Sequence, residues 1–432
     1  MIFRTLCKTY PGTIFGVRQS SFVGGTVLGG RTPASQSVNF ATCKGHHNAM
    51  NALLPLQGIK VLDLSRVLAG PLAAMTLGDL GAQVIKVERV GTGDDTRGWG
   101  PPFDPHGDAA YFHCANRNKL SVAANLADPA DRAFVETLVA GADLVLDNFL
   151  PGVLDRHGLA PETLLPRYPQ LLWCTVSGFG PHSRRPGYDF VVQAEQGWMA
   201  ITGEPAGEPM KAGVALADLM AGKDAVIALL ALLAARERRP GGLPATDRRL
   251  QVSLAHSALA GLANVAANTL VSGAEARRWG NAHPNLVPYQ LFHAADRPLV
   301  LAVGTDAQWL AAARALGLPA LADDPALTTN AGRLAHRDRV VDALARQLAT
   351  ASAAHWIDRL GGVGVPCGVV RTVREALEGT GATAGGGVPP AAPGTVRLAP
   401  PQLDAHGALI RAHHWSAFAH LPIPPEPPTP AP

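Results

Sequence analysis

Asp218 is the carboxylate of greatest chemical interest in this sequence of 432 residues, and it lies in the apolar stretch GVALADLMAG. A carboxylate at the start of a helix is held by the backbone amides there, and a fixed, ionised carboxylate can act as a nucleophile. The same spacing suits a structural role, in which Asp218 is the N-cap of a helix that begins at Leu219. Asp189, in the loop sequence RPGYDF, is open to the same two interpretations.

Several charged residues follow predicted strands, where a parallel sheet binds its ligands. Arg89 follows the strand sequence IKVE, and Arg156 lies in PGVLDRHG. Each is either a solvated surface charge or part of a phosphate clamp. Arg66 precedes a turn at the same sheet edge, and Asp63, which ends a strand, is expected to accept hydrogen bonds from the loop that follows it.

Composition and charge exclude several classes of protein. Hydrophobic residues make up 47% of the chain and charged residues 16%, which is typical of a folded globular protein. No run approaches the roughly 18 apolar residues of a membrane span. Beyond residue 49 the chain has 32 basic and 34 acidic residues, so we expect no nucleic-acid partner. Five scattered cysteines without a CxxC pair argue against a disulfide framework or a structural zinc site.

The elements that must position these residues alternate between strands and helices. Short apolar strands are predicted at 60–64, 84–87, 144–146 and 171–176, with helices at 72–80 and 131–140 between them. This alternation predicts a parallel sheet covered by helices. Two long helices are predicted at 219–238 and 253–270, followed by a smaller α/β segment over 297–375.

The two ends of the chain differ from the middle. Residues 1–49 hold five basic residues and no acidic one, which suggests a mitochondrial transit peptide or an extension upstream of a true start at Met50. From Pro389 onward 12 of 44 residues are proline, so we expect no packed element in the tail. The domains predicted are a large one at 54–275, a small one at 276–375 and a divergent tail at 376–432.

Taken in order, these segments resemble family III CoA-transferases, the group that includes formyl-CoA, carnitine and succinate/glutarate CoA-transferases. The resemblance covers about residues 55–375 and rests on many motifs in the same order and spacing. The matching stretches are PLQGIKVLDLSRVLAGP, LGAQVIKVER, GDDTRGWGPPF, NRNKLSVAANL, NFLPGVLDRHGL, PGYDFVVQA, GVALADLMAG, RRWGNAHPNLVPYQLF and GVPCGVV. The amino-acid sequence of residues 277–292 is closer to that of the succinate/glutarate type.

The resemblance implies a Rossmann-like large domain, a smaller α/β domain and a homodimer of two interlocked rings. It implies that Asp218 is the nucleophile, and that this carboxylate stays ionised because neighbouring dipoles keep its pKa low. It implies CoA contacts at Leu68, Ala69, Arg89, Ala124, Asn125, Asn148, Phe149, Arg156, Gly187 and Tyr188. The substrates would be an acyl-CoA, such as succinyl-CoA, and a small carboxylic or dicarboxylic acid, with no metal and no prosthetic group. The compartment would be the mitochondrial matrix if residues 1–49 are a transit peptide, and the cytoplasm if the chain starts at Met50.

Two alternatives remain beside the transferase. The same fold hosts α-methylacyl-CoA racemases, which use a His in a Gly-His-Asp triplet. Here the triplet is Gly187-Tyr188-Asp189, and a tyrosine with a pKa near 10 is a poor base for an α-proton. The other alternative is a CoA-binding protein that has lost activity through its altered C-terminus.

Overall fold

The computed structural model describes residues 54–391 and 393–421. The transit-peptide prediction for residues 1–49, and with it the compartment, therefore lies outside the described residues. So does the proline-rich end after Leu421.

A parallel sheet of six strands, in the order β3-β2-β1-β4-β5-β6, forms the centre of the larger part. Its strands are β1 (Lys60–Asp63), β2 (Gln83–Glu88), β3 (Lys119–Ala123), β4 (Leu144–Asp147), β5 (Leu172–Ser177) and β6 (Arg249–Ser253). Val61 pairs in register with Val84 on one side and Leu144 on the other. The predicted doubly wound parallel sheet is confirmed.

Helices, among them α1 and α7 on one face and α3 on the other, cover both faces of this sheet. The helices of the larger part are α1 (Ala69–Asp79), α2 (Ala110–His113), α3 (Pro129–Ala140), α4 (Pro161–Arg167), α5 (Asp189–Glu195), α6 (Trp198–Ile201), α7 (Leu216–Glu237), α8 (Leu254–Gly261) and α9 (Ala263–Ser272). Successive strand residues point to opposite faces, so Val61 packs with Ala73 of α1, whereas Leu62 packs with Leu138 of α3. Because both faces are buried, the strands read as nearly continuous apolar runs.

The smaller part has its own sheet and its own core. Strands β7 (Tyr289–His293), β8 (Pro298–Ala302) and β9 (Cys367–Val369) form an antiparallel sheet in that order. The core includes Trp309 and Trp356. Its helices are α10 (Asp306–Ala315), α11 (Pro319–Ala322), α12 (Asn330–Ala335), α13 (Arg337–Leu348), α14 (Ala353–Gly361) and α15 (Val373–Leu377). The exact domain boundaries stay a prediction.

Several of the predicted helices have different limits, and α1 begins at Ala69, three residues before its predicted start at 72. Helix α7 begins at Leu216, three residues before the predicted start. The helix predicted over 253–270 is two helices, α8 and α9, which meet at an angle of 69°. Ala263 has a φ of 44°, which interrupts the helical hydrogen bonding between them. Among the described residues no single helix is long and apolar enough to cross a membrane. The bent pair of α8 and α9 together has sufficient length and apolar composition, but no more than that is shown.

The prediction that the C-terminal segment lacks a packed element is wrong for residues 393–421. Helix α16 (Gly407–His413) and a 3-10 helix over His414–His420 pack on the large sheet, and Ile410 and Trp415 are part of its core. The indole N–H of Trp415 donates to the carbonyl of Leu138 at 2.9 Å.

Side chains of the large domain hold the extended chain that precedes α16. The guanidinium of Arg117 donates to the carbonyls of Gly386 and Val388, and Asn118 Nδ2 donates to the carbonyl of Thr395. A proline-rich chain needs such side-chain partners because it forms no helix or ladder of its own.

We expect Trp415→Ala to lower the free energy of unfolding by about 3 kcal/mol, since it leaves a cavity and an unpaired carbonyl at Leu138. Denaturant unfolding followed by circular dichroism measures this change. Ser416→Ala, at the exposed neighbouring position, is the control and should unfold like the wild type. Equal midpoints for the two variants would contradict the packed C-terminus.

Candidate active site

The loops that follow β1 and β4 diverge at the edge where their carboxyl ends lie. In an open parallel sheet this switch in strand order creates a crevice in which ligands bind. Asn148 joins its two sides: its Oδ1 accepts the backbone N–H of Arg66 at 3.0 Å, and its Nδ2 donates to the carbonyl of Arg66 at 2.7 Å. The predicted contact residue Asn148 therefore lies at the crevice and fixes its geometry.

Two lysines buried beneath the crevice support the loop after β1. Lys119 Nζ donates to Asp63 at 2.8 Å and to the carbonyl of Pro71 at 2.8 Å. Lys86 Nζ donates to the carbonyl of Ser65 at 2.8 Å and forms an ion pair with Asp94 at 3.0 Å. Sequence reasoning missed both lysines, although a lysine inside an otherwise apolar strand is itself a signal of a buried partner.

Asp63 has the structural role that its position predicted. Its carboxylate accepts the N–H and the hydroxyl of Ser65, in the first turn of the loop. Burial alone would raise the pKa of Asp63, but Lys119 and Lys86 outweigh it and keep the pKa below its ordinary value. Asp63 therefore stays ionised as the central anion of the network.

The loop itself contains a strained residue. Val67 has a φ of 73°, a conformation that a β-branched residue rarely adopts. Its N–H donates to both carboxylate oxygens of Asp94 at 3.2 Å, and Asp94 is held in turn by Lys86. The buried charges thus stabilise a backbone conformation that directs the next residues, Leu68 and Ala69, toward the crevice.

A cavity of about 850 Å³ opens on one side of the crevice. Four of the predicted CoA contacts line it, namely Arg89, Ala124, Asn125 and Phe149. Arg156 is not among the lining residues; it is exposed, and its Nε donates to the carbonyl of Gly152 at 3.3 Å. The structure therefore brings Arg89, Ala124, Asn125 and Phe149 together around one cavity, and Arg156 lies outside the lining of that cavity.

Two guanidinium groups meet at this cavity. Asp95 forms an ion pair with Arg66 at 3.2 Å and a second one with Arg89. Arg66 also lies over the ring of Phe149, 5.6 Å from its centroid. These contacts hold two cations close together at a partly exposed position, which suits a phosphate or pyrophosphate group. Sequence reasoning did not anticipate the bridging role of Asp95.

Two further cavities, of about 550 and 220 Å³, share Asp218 as a lining residue. The larger is lined by Leu68 and the smaller by Ala69, Asn148, Phe149 and Gly187, while Tyr188 lines both. The smaller cavity shares Arg66, Phe149 and Leu150 with the cavity that contains Arg89. The three cavities therefore lie side by side, with Asp218 between the second and the third.

Asp218 is not the N-cap of its helix, as one interpretation had predicted. Helix α7 begins at Leu216, so Asp218 is the third residue of its first turn. The residue that satisfies the helix start is Asp189, whose Oδ1 accepts the N–H of Ala217 at 2.7 Å. Asp189 is buried, and its other oxygen accepts from Gln193 at 2.7 Å. The cap comes from another element and leaves the carboxylate of Asp218 available to the cavities.

The expectation that the pKa of Asp218 is kept low is wrong. Burial and the nearby charge of Asp189 raise the pKa of Asp218 to about 7, and the backbone N–H of Ala69 only partly opposes them. The larger cause is burial, which disfavours the charged form of the carboxyl group, and the second is the like charge of Asp189, the cap of the helix. The carboxylate is therefore poised between its two protonation states near neutral pH.

Aromatic rings form much of the wall around Asp218. Trp99 contacts Tyr111 edge to face, with centroids 5.2 Å apart, and lies 6.4 Å from the ring of Tyr188. Burial, together with the charges of Asp218, Cys114 and Asp189, raises the pKa of Tyr111 to about 12, so this phenol stays neutral. The sequence alone did not single out Trp99 or Tyr111.

The loop that carries Tyr188 approaches the end of β5 very closely. A Cβ atom at Gly178 would collide with the backbone of Gly187, and one at Gly187 would collide with the backbone of Gly178. Glycine at both positions is therefore required to bring this loop against the sheet. Between residues 54 and 421, Ala392 aside, no group of three or more His, Cys, Asp or Glu side chains is placed to hold a metal ion.

We expect Asp218→Asn to stabilise the protein increasingly as the pH rises. A raised carboxyl pKa adds stability that is present below pH 4 and is lost as the pH rises through about 7, whereas the amide does not titrate. The gain in Tm over the wild type should be small at pH 5 and largest at pH 8. When both proteins also carry Asp189→Asn, the gain in Tm from Asp218→Asn should be smaller, because the charge of Asp189 no longer raises the pKa of Asp218. A gain that is independent of pH would contradict the raised pKa.

Comparison with known proteins identifies the family. Residues 56–413 match the model for CoA-transferase family III. The chain is 42% identical over 330 residues to the succinyl-CoA:glutarate CoA-transferase of Mus musculus. The aligned residues cover 76% of this chain and 74% of that protein. It is 44% identical over 313 residues to the succinate–glutarate CoA-transferase of Agrobacterium fabrum, covering 71% and 76% of the two chains.

A more distant relative and a solved structure agree with this match. The acetyl-CoA:oxalate CoA-transferase of Acetobacter aceti is 38% identical over 377 residues, covering 83% of this chain and 95% of that protein. The crystal structure of a CAIB/BAIF family protein from Brucella suis superposes with a TM-score of 0.72 at 39% identity, over 83% of this chain and 98% of that one. The resemblance found in the sequence is confirmed: this chain belongs to CoA-transferase family III and is a CoA-transferase.

Proposed function

We propose that this enzyme moves CoA from succinyl-CoA to a small dicarboxylic acid, with Asp218 as the nucleophile. The observation that carries the proposal is the position of Asp218. The partly buried carboxylate of Asp218 lines both a cavity next to the Arg66–Arg89 pair and an aromatic cavity of about 550 Å³. The cavity next to the two arginines suits CoA, and the aromatic cavity suits the carboxylic acid that is released or that accepts CoA.

The reaction proceeds through two covalent states of Asp218. The carboxylate attacks the thioester carbonyl of the donor; the carbon–sulfur bond breaks, and an aspartyl–acyl anhydride and free CoA thiolate form. The thiolate then attacks the aspartyl carbonyl of the anhydride, which gives an aspartyl–CoA thioester and releases the donor acid. Covalent catalysis divides a difficult exchange into easier steps, because a free carboxylate is too weak a nucleophile to exchange CoA directly.

The acceptor reverses these steps. Its carboxylate attacks the aspartyl thioester, which forms a new anhydride and releases CoA thiolate. The thiolate attacks the acyl carbonyl derived from the acceptor, which gives the product acyl-CoA and restores the carboxylate of Asp218. Each bond that breaks is replaced by one that forms, so the exchange consumes no oxidant or reductant.

The surroundings of Asp218 supply what each step needs. The backbone N–H of Ala69 lowers the pKa of Asp218, and we propose that this N–H also stabilises the oxyanion that forms when the aspartyl carbonyl is attacked. The rings of Trp99, Tyr111 and Tyr188 line the cavity beside Asp218, and with substrate bound they would limit the access of water, which would hydrolyse the anhydride and the thioester. Because only the ionised carboxylate attacks, activity rises with pH through about 7 in the free enzyme.

The CoA contacts follow the chain of cavities. We propose that Arg89, with Arg66, binds the phosphates, and that Ala124 and Asn125 contact the nucleotide end in the cavity they share with Arg89. The remaining predicted contacts would lie along the path to the nucleophile; they are Leu68, Ala69, Asn148, Phe149, Gly187 and Tyr188. Arg156 is exposed, and its neighbour His157 lines the cavity that contains Arg89. Arg156 would therefore reach a phosphate from the edge of that cavity.

The names of the relatives support the choice of substrates. Two of them, at 42% and 44% identity, are named for CoA transfer between succinate and glutarate. The racemase alternative has no support from the site, because Tyr188 occupies the position of its histidine. The inactive-homologue alternative depended on damage by the altered C-terminus, and the packing of Ile410 and Trp415 in the core of the large domain gives that alternative no support.

Asp218→Asn should reduce CoA transfer from succinyl-CoA to isotopically labelled glutarate roughly a thousandfold or more, because the amide cannot form the anhydride. Calorimetry should show that the variant still binds CoA. Asp224→Asn, on the same helix but outside both cavities that contain Asp218, is the matched control and should retain wild-type turnover. Substantial turnover in Asp218→Asn would contradict the assignment.

We also infer that the enzyme is a homodimer, as the resemblance to the family implies. Helix α9 supports this inference because none of its residues is buried, although it is largely apolar; Leu270 and Val271 are 84% and 89% exposed. Apolar surface of this kind marks a contact with another chain. Light scattering should give twice the chain mass of 45.0 kDa, and Leu270→Asp, which places a charge in the proposed contact, should lower the yield of folded dimer. A wild-type monomer would contradict the inference.

A further inference from the structure

The aromatic cavity beside Asp218 contains one cationic side chain among the described residues that line it, namely Lys211. Its other charged lining residues are Asp189 and Asp218. The remainder of the wall consists mostly of aromatic and aliphatic side chains, which give no compensation to an incoming anion.

The segment that carries Lys211 is fixed from below. The buried Gln193 accepts the N–H of Ala212 at 2.8 Å, and its amide nitrogen donates to the carbonyl of Val214 at 3.3 Å. The same Gln193 donates to Asp189, the residue that caps the helix of Asp218. The backbone beside Lys211 is therefore tied to the elements that position the nucleophile.

The ammonium group itself is available for a ligand. Its contact in the described structure is a long hydrogen bond of 3.3 Å to the carbonyl of Ala212, and within the described residues it forms no ion pair. A lysine with an exposed head and an anchored base is able to reach into the cavity without breaking a strong contact.

A dicarboxylic acceptor brings a charge that this cavity must neutralise. When one carboxylate attacks the aspartyl thioester, the other lies in an apolar cavity near the anion of Asp189. We propose that Lys211 binds this distal carboxylate and thereby selects dicarboxylic over monocarboxylic acids. The inference rests on the proposed function, since it assigns the acceptor end of the same site.

The test compares glutarate with pentanoate, which has the same number of carbons and one carboxylate, as acceptors from succinyl-CoA. In a ping-pong reaction kcat/KM for the acceptor reports only the step after the enzyme has been loaded with CoA, so any effect on the donor cancels. We expect the wild type to prefer glutarate. Lys211→Met should reduce that preference about 10- to 100-fold by the loss of one charged contact, while Lys211→Arg keeps most of it.

Lys223→Met, on the exposed side of α7, is the matched control for the loss of a positive charge and should keep the wild-type preference. An unchanged preference in Lys211→Met, or a wild type that does not distinguish the two acids, would overturn the role of Lys211. The absence of any CoA transfer in the wild type would instead overturn the proposed function, and with it this inference.

Discussion

The site depends on the buried charges that hold the loop after β1. Asp63, Lys86 and Lys119 come from three adjacent strands, and the two ammonium groups also hold the carbonyls of Ser65 and Pro71. Breaking one partner of such a buried group costs several kcal/mol, so the loop has little freedom to move. The loop then fixes Ala69, whose carbonyl would lie 2.8 Å from a Cβ atom at Gly222 of α7. This close approach of α1 and α7 sets the position of Asp218 opposite the amide of Ala69.

The second constraint is that the residue that positions the helix of Asp218 also opposes the ionisation of the Asp218 carboxyl group. Helix α7 needs a group that accepts its first N–H bonds, and Asp189 provides it through Ala217. The same anion, together with burial, raises the pKa of Asp218 to about 7. A carboxylate taken out of water is a stronger nucleophile than a solvated one, and a partly protonated one is less often ready to attack. The geometry therefore combines a desolvated nucleophile with a pKa that remains within reach of neutral pH.

The sequence predicted β1, β2, β4 and β5, whose apolar runs are short and separated by turn residues, and it placed Arg66 and Arg89 at the correct sheet edge. It did not predict β3 or β6, which begin with Lys119 and Arg249 and have polar residues at alternate positions. It placed the start of α7 three residues late, because the cap is Asp189, a residue distant along the chain. The buried role of Lys86 and the bridge made by Asp95 depend on neighbours that only the folded chain brings together. The packing of Trp415 was missed since proline content was taken as a sign of an unpacked tail, whereas Arg117 and Asn118 satisfy that backbone.

The central claim is that Asp218 is covalently loaded during turnover. Mass spectrometry of the protein incubated with succinyl-CoA and then treated with hydroxylamine tests it most directly, because hydroxylamine converts an aspartyl anhydride or thioester into a hydroxamate. We expect a hydroxamate at Asp218 in the wild type and none in Asp218→Asn. An unmodified Asp218 in protein that transfers CoA, or a hydroxamate at Asp189 instead, would contradict the account.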